Sequence, residues 1–193
     1  MLTDIERIIS EHQEALEVLK GLSNKLEEIA SLCQKALENG NKIIFFGNGG
    51  SAADSQHLAA EFVGRFQKNR RPLASLALSV NSSILTAVGN DFGFQKIFSR
   101  QINCLGKPGD IAFGISTSGN SPNILEALGE AKKNGLHTVA FLGKDGGKIA
   151  TQVDLPLIVS VKQTPRIQEA HILAGHIICE LIEETVITKE SHK

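Results

Sequence analysis

The 193-residue chain has no tryptophan or tyrosine and contains only three cysteines, five prolines and one methionine. Because tryptophan and tyrosine are absent, aromatic stacking on bases or sugars is not an expected mode of recognition. The formal net charge is −1 and no basic stripe occurs, so we expect no nucleic-acid ligand. No apolar run approaches the roughly 20 residues that span a bilayer, and the N-terminus is too polar for a signal peptide. We therefore expect a cytoplasmic protein with no membrane partner.

The few cysteines do not form a metal-binding motif. Cys33, Cys104 and Cys179 lie far apart in the sequence, without the short spacing of zinc-binding cysteines. Each lies within an apolar pattern, and free cysteine is among the most buried residue types. We predict three buried thiols.

One stretch, residues 42–66, has the pattern of a strand, a tight turn and a helix. An apolar run at 43–46 is followed by the sequence GNGGS at 47–51, here named the glycine turn, and then by helical periodicity. Glycines let the backbone turn sharply and approach a ligand, while Ser51 and the free amides of the helix start face whatever lies beyond the strand. Such a turn suits an anion, most often a phosphate.

Two residues of this predicted helix, His57 and Glu61, lie four positions apart and project from one face, one turn apart. An imidazole and a carboxylate in this arrangement can share a metal ion or set up proton transfer. They can also form a surface pair, or the histidine can be a hydrogen-bonded residue of the core. Because the glycine turn lies shortly before them, a functional role is favoured more than it would be elsewhere. The metal site, the proton-transfer pair, the surface pair and the core histidine all stay open as interpretations.

The glycine turn also fits, loosely, the dinucleotide-binding pattern. Gly47, Gly49 and Ala52 have the required spacing after a strand and before a helix. A dinucleotide site also needs an acidic residue or an arginine near the end of the second strand, where this chain has Ser-Val-Asn-Ser at 79–82. No GxxxxGK[ST] motif is present. We therefore expect neither a dinucleotide-binding protein nor a P-loop nucleotidase.

Apolar runs alternate with helical patterns along the rest of the chain, which predicts an α/β fold with a parallel sheet covered by helices on both faces. Among the common doubly wound arrangements we favour five strands in the flavodoxin-like order 2-1-3-4-5. This order places the first and third strands side by side where it reverses, and ligands bind at that point. After the strand at 43–46, the predicted strands lie at 73–80, 111–115, 138–142 and 155–161.

A second polar turn follows the third predicted strand. The sequence STSGNS at 116–121, here named the hydroxyl turn, carries four hydroxyls, and Pro122 suits the first position of the next helix. Hydroxyls and free amides together make a good phosphate cradle. Because the first and third strands are neighbours in the predicted order, both turns should open on one crevice.

The segment between the second and third strands has mixed helix and turn signals. Asn-Ser-Ser at 81–83 is typical of a helix cap, so a short helix should follow and end at Val88. Gly-Asn-Asp at 89–91 favours a turn, and another helix should run from about 94 to 105.

Residues 1–40 should form a helical extension ahead of a sheet domain at 41–193. Apolar residues are spaced by threes and fours from 3 to 39, with Gly21 as a candidate break between two helices. The apolar seam is long and narrow, like that of a helical hairpin or bundle. Since such helices cannot all cover one small sheet, we expect them to pack against another subunit. His12, within the seam, is interpreted as structural.

The last predicted helix begins at Thr164, and apolar residues surround most of its circumference. Gln168 and His176 interrupt this surface, and buried polar groups need partners. They lie eight positions apart, which is roughly 12 Å of rise and about 80° around the axis. One helix brings both onto one small ligand only with fully stretched side chains. A site at a subunit junction, with the two residues drawn from different copies, is the easier geometry.

Four motifs together carry a family resemblance, namely GNGGSAADSQHLAAEF at 47–62, VGNDFGF at 88–94, GISTSGNSPNIL at 114–125 and RIQEAHILAGH at 166–176. They resemble the sugar isomerase (SIS) domain family. The hydroxyl turn alone indicates only a SIS domain, whereas His57, Glu61, Gln168 and His176 in combination are similar to its isomerases of seven-carbon sugar phosphates. The resemblance covers essentially the whole chain. It implies an enzyme of ADP- or GDP-heptose biosynthesis that converts sedoheptulose 7-phosphate to D-glycero-D-manno-heptose 7-phosphate through an enediol.

The resemblance also implies roles for individual residues. Glu61 and His176 match the acid/base pair of the family. His57, Glu61, Gln168 and His176 match the ligands of one zinc ion per subunit. The family is similar in being homotetrameric, with active sites between subunits. The residues that match the sugar-phosphate binders are Asn48, Gly49, Gly50, Ser51, Glu61, Asn90, Asp91, Ser116, Thr117, Ser118, Ser121 and Gln168.

Two other functions stay open at this point. Non-catalytic SIS proteins, which sense phosphosugars or bind a replication initiator, resemble this chain in both polar turns but lack the helical glutamate or the later histidine. Both Glu61 and His176 are present here, which favours catalysis. An isomerase of another sugar phosphate is the third candidate, because a phosphate cradle recognises the phosphate better than the number of carbons.

Overall fold

The computed structural model describes residues 2–190, which form five β-strands and seven α-helices. The strands are β1 (Ile43–Gly47), β2 (Ser75–Ala77), β3 (Ile111–Ser116), β4 (His137–Gly143) and β5 (Leu155–Val159). The helices are α1 (Leu2–Lys20), α2 (Ser23–Glu38), α3 (Gly50–Val63), α4 (Ser82–Phe92), α5 (Ser99–Leu105), α6 (Pro122–Lys133) and α7 (Thr164–Glu190). A 3-10 turn, Phe94–Lys96, lies between α4 and α5. The end of the predicted 41–193 domain, residues 191–193, lies outside the described chain.

The five strands form one parallel sheet in the order β2-β1-β3-β4-β5. The predicted order is confirmed, including the adjacency of β1 and β3, in which Phe45 lies opposite Phe113. Both of these strands are buried along their whole length, as expected for strands covered by helices on both faces. β2 is shorter than predicted and pairs with β1 at the edge of the sheet.

Helices cover both faces of the sheet. Alternate strand residues point to opposite sides, so neighbouring residues of one strand belong to two different cores. Phe45 faces a core formed with α1, α2, α3 and α7, whereas Phe46 faces a core formed with α4, α5 and α6. On the first side Phe45 packs against Phe62 of α3 and Phe113 of β3, with ring centroids 6.0 and 4.9 Å away. The contact between Phe45 and Phe62 packs α3, which follows the glycine turn, against β1.

The N-terminal extension consists of two helices that meet at Gly21, as the sequence predicts. α2 packs against α7 and the sheet. α1 also packs against α7, through its second half, but Leu2, Ile5 and Ile9 near its start are at least 53% exposed. α1 therefore presents an apolar face that the rest of residues 2–190 leaves open to solvent.

Polar contacts join the start of α7 to α1. His12 Nδ1 lies 2.7 Å from Oε2 of Glu169. Arg166 donates hydrogen bonds to the carbonyl oxygen of Ile8 at 3.0 Å and to Oε1 of Glu169 at 2.7 Å. These contacts agree with the structural interpretation of His12.

The predicted turn at 89–91 is wrong, because these residues form the last part of α4. The helix begins as predicted, since Asn81 Oδ1 accepts a hydrogen bond of 3.0 Å from the backbone N–H of Ile84 and caps the first turn. It ends only before Gly93, whose φ of 88° lies in the left-handed region that glycine adopts without strain. The asparagine and aspartate of this last turn are exposed, and solvated polar side chains are tolerated at a helix end.

The prediction of three buried thiols is confirmed for Cys33 and Cys179 and wrong for Cys104, which is exposed. α5 is a short helix that turns one face to the core, and Cys104 lies on the other face. Burial raises the pKa of the Cys33 thiol to about 12 and raises that of Cys179 as well. Both buried thiols therefore stay protonated at neutral pH.

α7 is long and mostly apolar on its buried side, yet His171 and Glu183 are also buried within it. His171 Nε2 lies 3.0 Å from the carbonyl oxygen of Leu142, at the end of β4. Burial lowers the pKa of His171 to about 4, so its imidazole is neutral at physiological pH.

Within residues 2–190, no helix combines the length and the apolar character needed to cross a membrane. The cytoplasmic location stays a prediction.

Asp110 lies directly before β3 and anchors the amino ends of the strands, whereas the glycine turn lies at their carboxyl ends. Its side chain is 1% exposed and accepts hydrogen bonds from the backbone N–H groups of Lys42 and Lys107, at 3.0 and 2.8 Å. Lys42 Nζ and Asn41 Nδ2 also donate to it. Burial by itself would raise the pKa of the Asp110 carboxyl, but these hydrogen bonds outweigh burial and hold the pKa below its ordinary value.

Replacing Asp110 by Asn should destabilise the fold by about 3 kcal/mol, because it leaves the Lys42 ammonium without its buried counter-charge. A depressed carboxyl pKa gives stability that is present above the unfolded-state pKa and lost as the pH falls through the folded-state pKa. The difference between wild type and Asp110→Asn in urea unfolding should therefore be full at pH 7 and shrink below about pH 4.

Asp145→Asn is the control for this measurement. Asp145 is exposed, and its Oδ1 accepts a 3.1 Å hydrogen bond from the backbone N–H of Gly147 that an amide can also accept. This variant should change the free energy of unfolding by less than about 0.5 kcal/mol. Wild-type stability of Asp110→Asn at pH 7 would contradict the anchoring role.

Candidate active site

The glycine turn is shaped by close contacts that require glycine at two positions. A Cβ on Gly47 would lie 2.5 Å from the backbone oxygen of Ser51, and Gly49 has a φ of 56°. The chain therefore folds back at once into α3, which begins at Gly50. Ser51 is 3% exposed, at the positive end of the helix dipole. The predicted sequence of strand, tight turn and helix is confirmed.

A pair of amide side chains joins the glycine turn to the start of α6. Asn48 Nδ2 donates to Asn123 Oδ1 at 2.9 Å, and Asn123 Nδ2 donates to Asn48 Oδ1 at 2.8 Å. We name this pair the amide clasp. It joins the glycine turn to the helix that follows the hydroxyl turn, which agrees with the predicted adjacency of β1 and β3. The Asn48 side chain is engaged in the clasp, which leaves its backbone to face a ligand. Asn123 is 2% exposed and carries no sequence signal beyond its place directly after Pro122.

The hydroxyl turn is held by hydrogen bonds within itself. Ser116 Oγ and Ser121 Oγ lie 3.0 Å apart and share a hydrogen bond. Ser118 Oγ accepts a hydrogen bond of 3.2 Å from the backbone N–H of Asn120. Because Pro122 starts α6, the turn lies at a helix N-terminus, which adds a favourable field for an anion. Thr117 and Ser118 are half-buried, so the turn presents hydroxyls at the surface of the crevice.

The loop after β4 supports the hydroxyl turn from behind. A Cβ on Gly119 would lie 2.1 Å from the carbonyl oxygen of Gly146, so the two loops meet backbone to backbone. Asn120 Oδ1 accepts a 3.1 Å hydrogen bond from the backbone N–H of Lys148, and Ile149 N–H donates to the Gly119 oxygen at 3.0 Å. The shape of the hydroxyl turn is therefore set before any ligand binds.

His57, Glu61 and His176 come together between α3 and α7. The Nε2 atoms of the two histidines lie 2.9 Å apart, and His57 Nε2 lies 3.3 Å from Oε1 of Glu61. Each residue offers a ligand atom, and these atoms lie within 4.8 Å of one another. α7 approaches α3 closely because of Gly175, where a Cβ would lie 2.5 Å from Cδ2 of Leu58.

This donor set fits a divalent metal ion. Imidazole nitrogens and a carboxylate oxygen are common zinc ligands, and bonds of about 2.0–2.2 Å place tetrahedral ligand atoms roughly 3.3 Å apart. The observed separations of 2.9 and 3.3 Å are close to that value. Burial and the neighbouring His57 lower the pKa of His176, and Glu61 opposes them. His176 is thus neutral near pH 7, which is the protonation state that binds a metal.

Gln168 does not join this group within one chain. It lies two turns earlier on α7, beside the start of α3, where a Cβ on Gly50 would meet its Nε2 at 2.5 Å. Gly50 and His57 are seven residues apart on α3, which is about 10 Å along the helix. The placement agrees with the distance argument from the sequence.

Asn90 and Asp91 lie in the last turn of α4 and are exposed. Asn90 Nδ2 donates to Asp91 Oδ1 at 2.8 Å. Their hydrogen bond is with each other, so the structure of the single chain does not link them to the group around His57.

Asp54 is a residue that the sequence patterns do not single out. It lies on α3 one turn before His57, and its Oδ2 is buried without a hydrogen-bond partner among the described residues. Burial raises the pKa of the Asp54 carboxyl, and His57 opposes the shift. The spacing of three residues from His57, on the same helix face, is the signal that could have identified it.

The chain matches known proteins over most of its length. The family model described as SIS domain matches residues 9–143. The phosphoheptose isomerase of Nitratiruptor sp. is 52% identical over 186 residues, which cover 96% of this chain and 100% of that protein.

Two solved structures are similar in both fold and sequence. A phosphoheptose isomerase from Neisseria gonorrhoeae has a TM-score of 0.89 at 42% identity, covering 95% of this chain and 100% of that chain. One from Francisella tularensis has a TM-score of 0.91 at 34% identity, covering 95% and 98%. Identities of this size over nearly the full length show more than a shared fold. The chain therefore belongs to the SIS domain family and, within it, to the phosphoheptose isomerases.

Proposed function

We propose that the protein is an aldose–ketose isomerase that converts sedoheptulose 7-phosphate to D-glycero-D-manno-heptose 7-phosphate, a step of ADP- or GDP-heptose biosynthesis. The observation that carries the proposal is the convergence of His57, Glu61 and His176 beside two polar turns that suit a phosphate. A protein that only bound a phosphosugar would need the turns but not the acid/base group. The names of the similar proteins support the choice of substrate.

The proposed reaction moves a proton between adjacent carbons of the open-chain sugar through an enediol. It needs a base at the carbon and an acid at the oxygen. We assign the base to Glu61, whose side chain is 21% exposed and can therefore reach a substrate in the crevice. We assign its acid/base partner to His176, which lies within hydrogen-bonding distance of His57. Glu61 lies on α3 and His176 on α7.

We propose that the metal is zinc, one ion per subunit, held by His57, Glu61 and His176 with Gln168 as a fourth ligand. When bound, zinc supplies a Lewis acid that polarises the oxygens of the sugar. Because Gln168 of the same chain lies beside Gly50, we infer that the fourth ligand comes from a neighbouring subunit.

The hydroxyl turn and Ser51 would hold the phosphate group. Binding the phosphate, which is remote from the reacting carbons, keeps the open-chain sugar in register with Glu61 and His176. The backbone of Asn48, Gly49 and Gly50 would face the sugar. The proposed substrate contacts on the hydroxyl turn are Ser116, Thr117, Ser118 and Ser121, and those of α4 and α7 are Asn90, Asp91 and Gln168.

We also propose a homotetramer with active sites between subunits. The exposed apolar residues of α1 support this assembly, and so do Leu173 and Leu181 of α7, which are 38% and 42% exposed in the single chain. In this proposal residues 1–40 supply packing surface and residues 41–193 form the catalytic domain. The alternative of a non-catalytic SIS protein is not favoured, because it leaves the group around Glu61 without a role.

Glu61→Gln should lower the conversion of sedoheptulose 7-phosphate by about 100-fold or more, because an amide cannot accept the proton. NMR of the sugar phosphate incubated with each protein measures the conversion. Glu27→Gln, at an exposed position of α2, is the control and should convert at the wild-type rate. Full conversion by Glu61→Gln would remove Glu61 from the role of base. If wild type converts a different ketose phosphate and Glu61→Gln does not, the proposed reaction type stands but the proposed substrate is wrong.

Removal of metal by a chelator should reduce turnover to less than about a tenth, and stoichiometric zinc should restore it. Metal content measured on the same samples shows whether removal is complete. A variant with His57→Ala should bind less zinc and respond little to added metal. Wild-type turnover in a sample verified to be metal-free would be incompatible with the zinc proposal.

Mixed assemblies test the sharing of the site. His57→Ala and Gln168→Ala should each be nearly inactive alone. When the two proteins are unfolded, mixed in equal amounts and refolded, a site that combines His57 of one subunit with Gln168 of another is intact in about a quarter of cases. Turnover should therefore rise to about a quarter of the wild-type value. A mixture as inactive as its components would place both residues in the site of a single chain.

A further inference from the structure

The segment that follows α3, residues 64–72, is folded around a buried ion pair. Arg70 Nε lies 3.3 Å from Oε1 of Glu183 on α7, and the two side chains are 1% and 3% exposed. Burying two charges is costly unless their other hydrogen-bonding atoms also find partners. Both groups find them on the backbone next to the proposed active site. We name the pair and the segment that it holds the α3–α7 latch.

Glu183 binds the start of this segment through the main chain. Its carboxylate accepts hydrogen bonds from the backbone N–H groups of Phe66, Gln67 and Lys68, at 2.9, 2.8 and 2.9 Å. Burial would raise the pKa of this carboxyl, but the three N–H groups and Arg70 outweigh burial and hold it below its ordinary value. The charge is therefore retained at neutral pH, and three successive residues are fixed to α7.

Arg70 binds the end of α3. Its Nη2 donates to the carbonyl oxygen of Glu61 at 2.8 Å, and its Nη1 donates to those of Phe62 and Gly64 at 2.9 and 3.3 Å. The last carbonyls of a helix have no partner within it, and a positive charge is favourable there. Arg70 thus holds the turn of α3 that carries Glu61.

The latch places the ring of Phe66 against His176. The two ring centroids lie 5.3 Å apart with an angle of 38° between the ring planes. His57 lies 5.1 Å from the same imidazole, at an angle of 59°. His176 therefore contacts two rings, one from α3 and one from the latch. The Phe66 ring occupies space beside the imidazole and restricts its rotation.

We propose that Phe66 is a positioning residue for His176, and that the Glu183–Arg70 pair keeps it in place. The inference rests on the metal site of the proposed function. Phe66 offers no ligand atom, so its effect is on the direction of His176 Nε2, which it keeps aimed at His57 and Glu61. A ligand that is ordered before the metal arrives loses less freedom on binding. A role in folding alone would give the latch no effect on metal affinity.

Zinc affinity, measured by competition with a chromophoric chelator, separates these two roles. Phe66→Ala should bind zinc about 10-fold or more weakly than wild type, the usual scale for residues that orient a metal ligand. Phe66→Tyr, which retains the ring, should bind zinc as wild type does. The thermal unfolding midpoint of each metal-free protein reports stability separately.

Glu183 and Glu184 provide a matched pair for the latch. They are neighbours on α7, and both contact the same segment, but Glu184 pairs with Lys68 at the surface with a side chain 54% exposed. Glu183→Gln should weaken zinc binding, because the carboxylate charge that anchors Arg70 and the backbone is lost. Glu184→Gln should leave zinc affinity unchanged.

Wild-type zinc affinity in a folded Phe66→Ala protein would overturn the inference and leave the proposed function standing. An equal loss in Glu183→Gln and Glu184→Gln would also overturn it, because charge alone would then explain the loss. A wild-type protein that binds no zinc would overturn the metal site and this inference together. If Glu183→Gln does not fold, the three proteins that differ at Phe66 decide the question.

Discussion

The site depends on how closely α7 approaches α3. Gly175 sets this distance, because an added Cβ would lie 2.5 Å from Cδ2 of Leu58, a side chain that is 1% exposed. A larger residue at Gly175 would push the helices apart, since packed interiors have little room to relax. His57 and His176, now 2.9 Å apart, would then no longer face one ligand. A glycine within a helix costs roughly 1 kcal/mol relative to alanine, and here the helix contact gives a reason for it.

The carboxylates of Asp110, Glu183 and Glu61 differ in their surroundings and therefore in their roles. Asp110 and Glu183 are buried and receive several backbone hydrogen bonds, which together with a nearby cation hold their pKa values below the ordinary range. They act as fixed charges that join distant parts of the chain. Glu61 differs, because Arg70 binds its backbone oxygen while its side chain faces His57. Its main chain is held by Arg70 and its carboxylate is directed at His57, which is the arrangement that a functional site needs.

Local patterns predict those parts of the structure that depend on neighbours in sequence. The parallel sheet follows from the alternation of strands and helices, its confirmed strand order is a choice among the common doubly wound arrangements, and the shared face of His57 and Glu61 follows from their spacing. The prediction of a turn at 89–91 is wrong because Gly, Asn and Asp favour turns locally, whereas the residue that ends the helix is Gly93, two positions later. The prediction that Cys104 is buried is wrong because α5 is short and buries only one face. The apolar residues around Cys104 in the sequence do not show which face that is.

Contacts between distant segments explain what the sequence could not predict about the site. Asn123 meets Asn48 across 75 positions, and Glu183 meets the backbone of Phe66 across 117. Neither pair has a local pattern, because its geometry arises only after the sheet and the helices have packed. The apolar pattern of α7 marks His176 as a buried polar group, the family resemblance groups it with His57 and Glu61, and its approach to His57 depends on Gly175. Whether Gln168 joins them is a question of assembly, which the pattern of one chain does not determine.

The amide clasp between Asn48 and Asn123 consists of two neutral groups. Salt weakens attraction between exposed charges, as in the surface pair of Lys68 and Glu184, but it does not screen a hydrogen bond between amides in this way. Amides also do not titrate in the physiological range. The distance between the glycine turn and the hydroxyl turn therefore depends little on ionic strength or pH, while the proposed proton chemistry belongs to His176 and Glu61.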